Sequence, residues 1–248
     1  VDPLDDVETI NLELIFADLE SIEKRYTRIS KIARTKDKDA VRELEILEKI
    51  KTTLEEGKSA RTIEFTPEEE PLVKSLFLLT TKPVLYVANI SEEDVIAGGD
   101  NEMVQAVREF AATEGAEVVT VCARIEEEVA ELDDEEKAEF LAELGIKESG
   151  LDQLIRKAYT LLGLGTYFTA GEKEVRAWTF RLGMKAPQTA GIIHTDFERG
   201  FIRAETVSYA DLLAYGSMQA AKEAGKVRLE GKDYVVQDGD VMEFRFNV

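Results

Sequence analysis

The sequence predicts an α/β chain in three parts: an antiparallel coiled-coil hairpin, part of a parallel-sheet domain, and a small α+β domain. Three observations predict this. Apolar residues recur at alternating spacings of three and four across residues 12–33. Strand and helix patterns alternate between 66 and 162. Beyond Gly165 short strands cluster, with few helices between them.

In the first part, Leu12, Ile15, Leu19, Ile22, Tyr26, Ile29 and Ala33 form one seam. Val41, Leu44, Leu47, Ile50 and Leu54 form a second, after the polar break Thr35-Lys36-Asp37-Lys38-Asp39. Two amphipathic helices joined by a short polar turn fold back on each other. At 1.5 Å per residue the arm spans roughly 35–40 Å. Its turn region carries Lys24, Arg25, Arg28, Lys31, Arg34, Lys36, Lys38 and Arg42 against only Asp37 and Asp39. That is +6 in a chain of net charge −20, leaving −26 on the remainder. A bare basic tip on an acidic protein points to phosphate contacts. The alternative is a hairpin kept soluble by its charges, although solvated coiled coils normally mix both signs.

The second part opens with Thr66 as N-cap, Pro67 at the first helical position and Glu69 completing a capping box, which predicts a helix through Leu79. A strand at 84–88, a helix at 102–113, a strand at 117–121 and helices at 134–144 and 151–162 follow. Such alternation predicts a parallel sheet covered on both faces, with ligands at the carboxyl ends of its strands. Asn89-Ile90-Ser91-Glu92 and Cys122-Ala123-Arg124 both fall at such ends. Two strands do not make a stable sheet of this class, so further strands are expected from outside the chain, upstream of Val1. The opening on Val fits a fragment or a trimmed product.

The third part reads as strands at 166–169 and 175–180 around a turn at Gly171, a helix near 188–194, and a strand at 200–205. Short helical turns lead to 224, and strands at 226–229, 234–236 and 241–246 follow, the last after the tight turn Asp238-Gly239-Asp240. Strands with helices on one face suggest a β-grasp domain.

With 44% hydrophobic and 33% charged residues the composition is globular, and no apolar run reaches a membrane span. Lone Cys122 excludes an intrachain disulfide framework and a cysteine-rich metal site, which leads us to expect a cytoplasmic setting. The acidic balance argues against uniform nucleic-acid binding and against DNA sequence specificity. His194, the single histidine, reads as structural, because it lies far in sequence from both strand ends. Trp178 reads as core, and the carboxylates of 126–136 as a solvated helical surface.

Asn-x-x-Glu at the end of a buried parallel strand is where a Rossmann-like P-loop nucleotide-binding domain places its base-reading side chains. Yet no segment supplies Gly-x-x-x-x-Gly-Lys-Ser/Thr. Gly57-Lys58-Ser59 has Thr52, not glycine, five positions before Gly57, and follows a helix rather than a strand. Gly57 instead suits a helix C-terminus. Gly98-Gly99 lacks the third glycine of a dinucleotide loop. On the residues alone, Asn89 either reads a base or merely caps a strand, with Ser91 and Glu92 opening the next loop.

Long, position-specific stretches carry a family resemblance. They include Asp2-Pro3-Leu4-Asp5-Asp6-Val7-Glu8-Thr9-Ile10-Asn11, Asn89-Ile90-Ser91-Glu92, Phe168-Thr169-Ala170-Gly171 and Val175-Arg176-Ala177-Trp178-Thr179. Lys185-Ala186-Pro187-Gln188 and His194-Thr195-Asp196-Phe197-Glu198-Arg199-Gly200-Phe201 extend them. From end to end the chain resembles the C-terminal two-thirds of the YchF, or Obg-like ATPase, family. The resemblance implies a P-loop ATPase domain interrupted by a coiled-coil arm, then a TGS domain of β-grasp fold. The implied boundaries are 1–65 for the arm, 66–163 for the ATPase part and 164–248 for TGS. It also implies ATP hydrolysis with Mg2+ and association with the ribosome, through its large subunit or RNA. The phosphate loop, switch segments and catalytic histidine are then expected upstream, leaving this chain no catalytic or metal-binding residue of its own.

The motif chemistry agrees with that implication. GTPases read guanine with Asn-Lys-x-Asp, whose carboxylate accepts hydrogen bonds from N1–H and N2–H2. Here Ile90 replaces the lysine, and Glu92 is one methylene longer. Adenine lacks that donor pair, and a carboxylate against its unprotonated N1 is penalised. Guanine selectivity is therefore relaxed. The roles expected are Asn89 bonding the base, the Ile90 backbone bonding adenine with Ser91 and Glu92 beside it, and Cys122, Ala123 and Arg124 framing the ring. The competing expectation is a non-catalytic RNA- or ribosome-binding module.

Overall fold

Asp2 accepts the Leu4 N–H at 2.9 Å and Pro3 sits at the first helical position, so α1, Pro3–Ala33, starts at once. The computed structural model describes residues 2–171 and 174–247. Lys36, at a φ of 61°, turns the chain, and Asp37 accepts the Ala40 N–H at 2.8 Å to cap α2, Lys38–Glu55. Ile15, Ile22 and Ile29 of α1 are buried in one cluster with Ala40, Ile46, Leu47, Ile50 and Leu54 of α2. Each such aliphatic side chain contributes about 1.5–3 kcal/mol on burial. Val41, expected in the seam, is 40% exposed, and Ala40 is buried instead. Glu43 of α2 meets Arg25 of α1 across the helix pair. Gly57, at a φ of 73°, ends α2 and lets the Lys58 N–H reach the Thr53 carbonyl at 3.1 Å.

After a 3-10 turn at Ala60–Thr62 comes α3, Glu70–Ser75. It is much shorter than the helix expected across 66–79. Glu69 accepts the Thr66 N–H at 2.8 Å, but the Thr66 hydroxyl turns to Glu68, so only half of the capping box forms. At the other end Phe77 adopts a φ of 53°. The buried Asp18 carboxylate of α1 then accepts the Leu79 and Thr80 N–H groups at 2.8 and 2.7 Å, donors that a continuing helix would have used.

β1, Leu85–Asn89, leads through α4, Glu92–Ile96, and α5, Glu102–Thr113, to β2, Glu117–Val121. β1 and β2 pair in parallel, with Leu85 opposite Glu117 and Asn89 opposite Val121. α5 buries Val104, Val107 and Ala111. The run 123–161 folds as α6, Ala123–Ala130, α7, Asp134–Glu143, and α8, Gly150–Leu161. Cys122, Ile125, Val129 and Leu141 form a second cluster. Gly150 must stay small, since a Cβ there would lie 2.9 Å from the Val121 Cα.

The remaining elements are β3, Leu164–Ala170; β4, Val175–Arg181; α9, Ala186–Ile193; α10, Thr195–Arg199; and β5, Phe201–Ser208. α11, Tyr209–Tyr215; α12, Met218–Glu223; β6, Arg228–Glu230; and β7, Asp240–Phe246 complete the chain. Their sheet runs β4-β3-β7-β5-β6, parallel only between β3 and β7. Tyr167, Phe180, Ala190, Phe201 and Met242 fill its core. Of the turn expected at Gly171, Glu172 and Lys173 lie outside the described residues. The strand expected at 234–236 reduces to one bridge, Val235 to Lys185, where the Tyr234 carbonyl accepts the Ala186 N–H at 2.9 Å and the Val236 N–H donates to the Met184 carbonyl at 3.0 Å. The molecule is thus α/β with one parallel and one mixed sheet. It divides into two compact units, Val1–Leu154 and Ile155–Val248. Among the described residues no helix is long and apolar enough to cross a membrane.

Candidate functional site

Parallel pairing brings the ends of β1 and β2 side by side, and the loops that leave them meet. The Ile90 N–H donates to the Val121 carbonyl at 2.9 Å, extending the ladder by one step. Beyond it, Asn89 Oδ1 accepts the Ala123 N–H at 3.1 Å. A backbone N–H only donates, so this bond orients the amide and leaves its NH2 group as a donor on an exposed side chain. Ser91 caps α4: its Oγ accepts the Asp94 N–H at 3.1 Å and donates to Asp94 Oδ2 at 2.7 Å. The Ser91 and Asn101 hydrogen bonds hold the Asp94 carboxyl below the usual range. Glu92 opens α4, and its Oε2 lies 3.8 Å from Arg124 Nε at the start of α6. Arg124 also lies 3.6 Å from Glu128.

A cavity of about 410 Å³ opens beside these loops, walled among others by Asn89, Ile90, Ser91, Asp94, Asn101 and Val107. That is the size of a small-molecule site. A second, of about 220 Å³, is bordered by Ile90, Thr120, Cys122, Glu126 and Gly150. Of the seven residues expected at a base, Asn89, Ile90 and Ser91 border the larger space. Ile90 and Cys122 border the smaller one, and Glu92, Ala123 and Arg124 border neither. Cys122 is buried in the cluster under α6, while Ala123 and Arg124 are exposed. Asn101 joins the wall unforeseen. Its local signal is an N-cap: its Oδ1 accepts the Val104 N–H at 2.9 Å at the head of α5.

Among the described residues no group of three or more His, Cys, Asp or Glu side chains is placed to hold a metal ion. The donors present suit a purine base: a neutral amide, backbone groups and an apolar wall.

The basic residues around the α1–α2 turn divide into two sets. Lys24 pairs with Glu20 and Arg25 with Glu43. Arg42 acts electrostatically on Glu68. Arg28, Lys31, Arg34, Lys36 and Lys38 are exposed, with no carboxylate within 4 Å among the described residues. The site residues therefore form two separate sets in the first unit, one at the strand ends and one around the α1–α2 turn.

Known proteins bear on both units. A family model described as YchF-GTPase_C, a protein of unknown function, matches residues 164–247. Proteins named Ribosome-binding ATPase YchF align with the whole chain: 69% identical in Bacillus subtilis, 55% in Haemophilus influenzae and 53% in Escherichia coli O157:H7. The chain spans 68% of the length of each. The solved structure of the Schizosaccharomyces pombe YchF GTPase, 36% identical, superposes over 99% of this chain and 66% of its own with a TM-score of 0.88. A GTP binding protein from Pyrococcus horikoshii, at 15% identity and a TM-score of 0.60, shares the fold. With 69% identity sustained from end to end, the chain belongs to the YchF family.

Proposed function

We propose that this chain is the base-reading and ribosome-contacting portion of a translation-associated P-loop ATPase that takes ATP in preference to GTP. The observation that carries the reading is the hydrogen bond from the Ala123 N–H to Asn89 Oδ1, which ties the two strand-end loops together and turns the Asn89 amide donors outward. A ring nitrogen acceptor common to purines is what such donors take. Ile90 supplies apolar surface and backbone groups, Ser91 fixes the loop, and Cys122 and Ala123 hold the β2 end beside it. The relatives' names divide over the nucleotide, ATPase for the bacterial proteins and GTPase for the yeast one. In the Asn-x-x-Glu motif Ile90 replaces the lysine of the guanine-reading pattern and the Glu92 carboxylate stands one methylene further out, which relaxes guanine selectivity.

The chemistry stops at the base. The 248 residues contain no phosphate-binding loop sequence, so this chain by itself is expected not to hydrolyse nucleotide. The Mg2+ that ATP carries would be held by its phosphates and by residues outside this set. We assign residues 1–65 to a coiled-coil arm, 66–163 to the ATPase part and 164–248 to a TGS domain, in a cytoplasmic protein. The arm's unpaired cations Arg28, Lys31, Arg34, Lys36 and Lys38 contact ribosomal RNA on the large subunit. Those same cations favour the second reading, a binding module that needs no chemistry of its own.

Asn89→Asp tests the base reading. Aspartate keeps an acceptor for the Ala123 N–H but has no donor to offer. In 15N spectra, adenosine should shift the Ile90 and Ala123 amides of the wild type and bind Asn89→Asp at least about tenfold more weakly. Equal binding by the two proteins would sink the assignment.

A further inference from the structure

We infer that Arg124, rather than framing the ring, decides which purine the Asn89 site accepts, by drawing Glu92 away from the base edge. The inference rests on the base reading proposed above and deepens it. Arg124 Nε stands 3.8 Å from Glu92 Oε2 and 3.6 Å from Glu128 Oε1, so one guanidinium bridges the first residue of α4 and the second turn of α6. Its side chain is 74% exposed. A pair this open and this long adds little to stability. Its consequence is where it leaves the Glu92 carboxylate.

Asn89 cannot choose between purines, because its outward groups are donors and both bases carry ring acceptors. Selection falls to the opposite edge, where guanine presents N1–H and N2–H2 and adenine presents a bare N1. An unrestrained Glu92 carboxylate would accept from guanine and repel adenine. Paired with Arg124 it is turned aside and its charge is offset. Glu128, one helical turn further along α6, approaches the same Nε and helps to hold it. Neither Glu92 nor Arg124 borders the cavity beside Asn89, as expected if the pair is withdrawn from the base.

The sequence distance between the partners explains why the motif alone is incomplete. Asn-x-x-Glu resembles a weakened guanine signature. The residue that alters its meaning lies after the next strand.

The test uses adenosine and guanosine as probes of the whole chain, following the Ile90 and Ala123 amides in 15N spectra of the wild type, Arg124→Ala, Arg124→Lys and Asn89→Asp. The wild type should bind adenosine at least as well as guanosine. Arg124→Ala should move the ratio toward guanosine by about two- to fivefold, the scale of one exposed ion pair. Arg124→Lys keeps the charge and should stay near the wild-type ratio, which mere loss of packing would not predict. If both nucleosides bind and Asn89→Asp weakens them, but Arg124→Ala leaves the ratio unchanged, Arg124 is no selector and the base site survives. If neither nucleoside moves these amides, the base site fails and this inference with it.

Discussion

Asn89 has one acceptor and two donors in its amide, and the fold engages the acceptor before any ligand arrives. A strand ending in Asn-x-x-Glu marks that residue in the sequence. The engagement of its carbonyl does not show there, since Ala123 is 34 residues away. The same holds for Tyr234, which reads as one member of a short strand. Its hydroxyl instead donates to the buried Asp240 carboxylate at 2.7 Å and accepts from Arg228 at 2.9 Å. Burial first, then the hydrogen bond to Asp240 and the repulsion of that charge, push its phenol from 10.0 up to about 12, with Arg228 opposing. Because the folded state holds this proton more tightly, the stabilisation is whole below the unfolded value of 10.0 and is lost as pH rises toward about 12. Tyr234→Phe should be less stable near neutrality, for want of the bond. Its unfolding free energy should also fall less steeply across that alkaline window in denaturant titrations. Parallel slopes for the two proteins would show that Tyr234 does not carry the effect.

Elements with local causes were legible, and elements with distant causes were not. The α1 and α2 seams follow from heptad spacing, and Asp37, Ser91 and Asn101 cap helices as their side chains dictate. α3 is the counterexample. Its cap signals predicted a helix to Leu79, yet Asp18, some sixty residues earlier, takes the Leu79 and Thr80 N–H groups and ends it. Asp18 reads in sequence as one more charge on a long helix. In the fold it is 3% exposed and tethers the return of the chain to the middle of α1, while Thr80 Oγ1 accepts the Ala60 N–H at 3.1 Å to join the strap below. Asp18→Ala would strand two N–H groups, one of them on a buried residue. It should cost about 2–4 kcal/mol. Faster hydrogen exchange at Leu79 and Thr80 than at the Asn89 loop should accompany the loss. A change below about 0.5 kcal/mol would mean that water replaces the carboxylate and the tether is dispensable.

Across the whole molecule the charge is segregated, and that bears on how any polyanion could be held. A body carrying −26 repels nucleic acid, so attraction has to concentrate where the +6 lies, between Lys24 and Arg42. The ion pairs sharpen this segregation: Lys24 and Arg25 are neutralised by Glu20 and Glu43, which leaves the cations nearer the turn to act outward. Each phosphate neutralised releases counterions and contributes about 0.7–0.9 to the slope of log affinity against log salt. Charge reversal at Arg28 and Lys31 removes two such contacts, so RNA binding should weaken and its salt slope should flatten by about 1.5. Both side chains are exposed and unpaired among the described residues, so thermal unfolding should stay at the wild-type midpoint and loss of fold cannot mimic the result. The reversal of two acidic residues on α7, Glu135 and Glu139, serves as the opposite control, because it lowers the repulsion of the body without adding a contact. It should raise affinity slightly at low salt and leave the slope near its wild-type value. A slope unchanged by reversal at Arg28 and Lys31 would reduce the basic turn to a solvated helix end, and the ribosome contact would have to be sought on another surface.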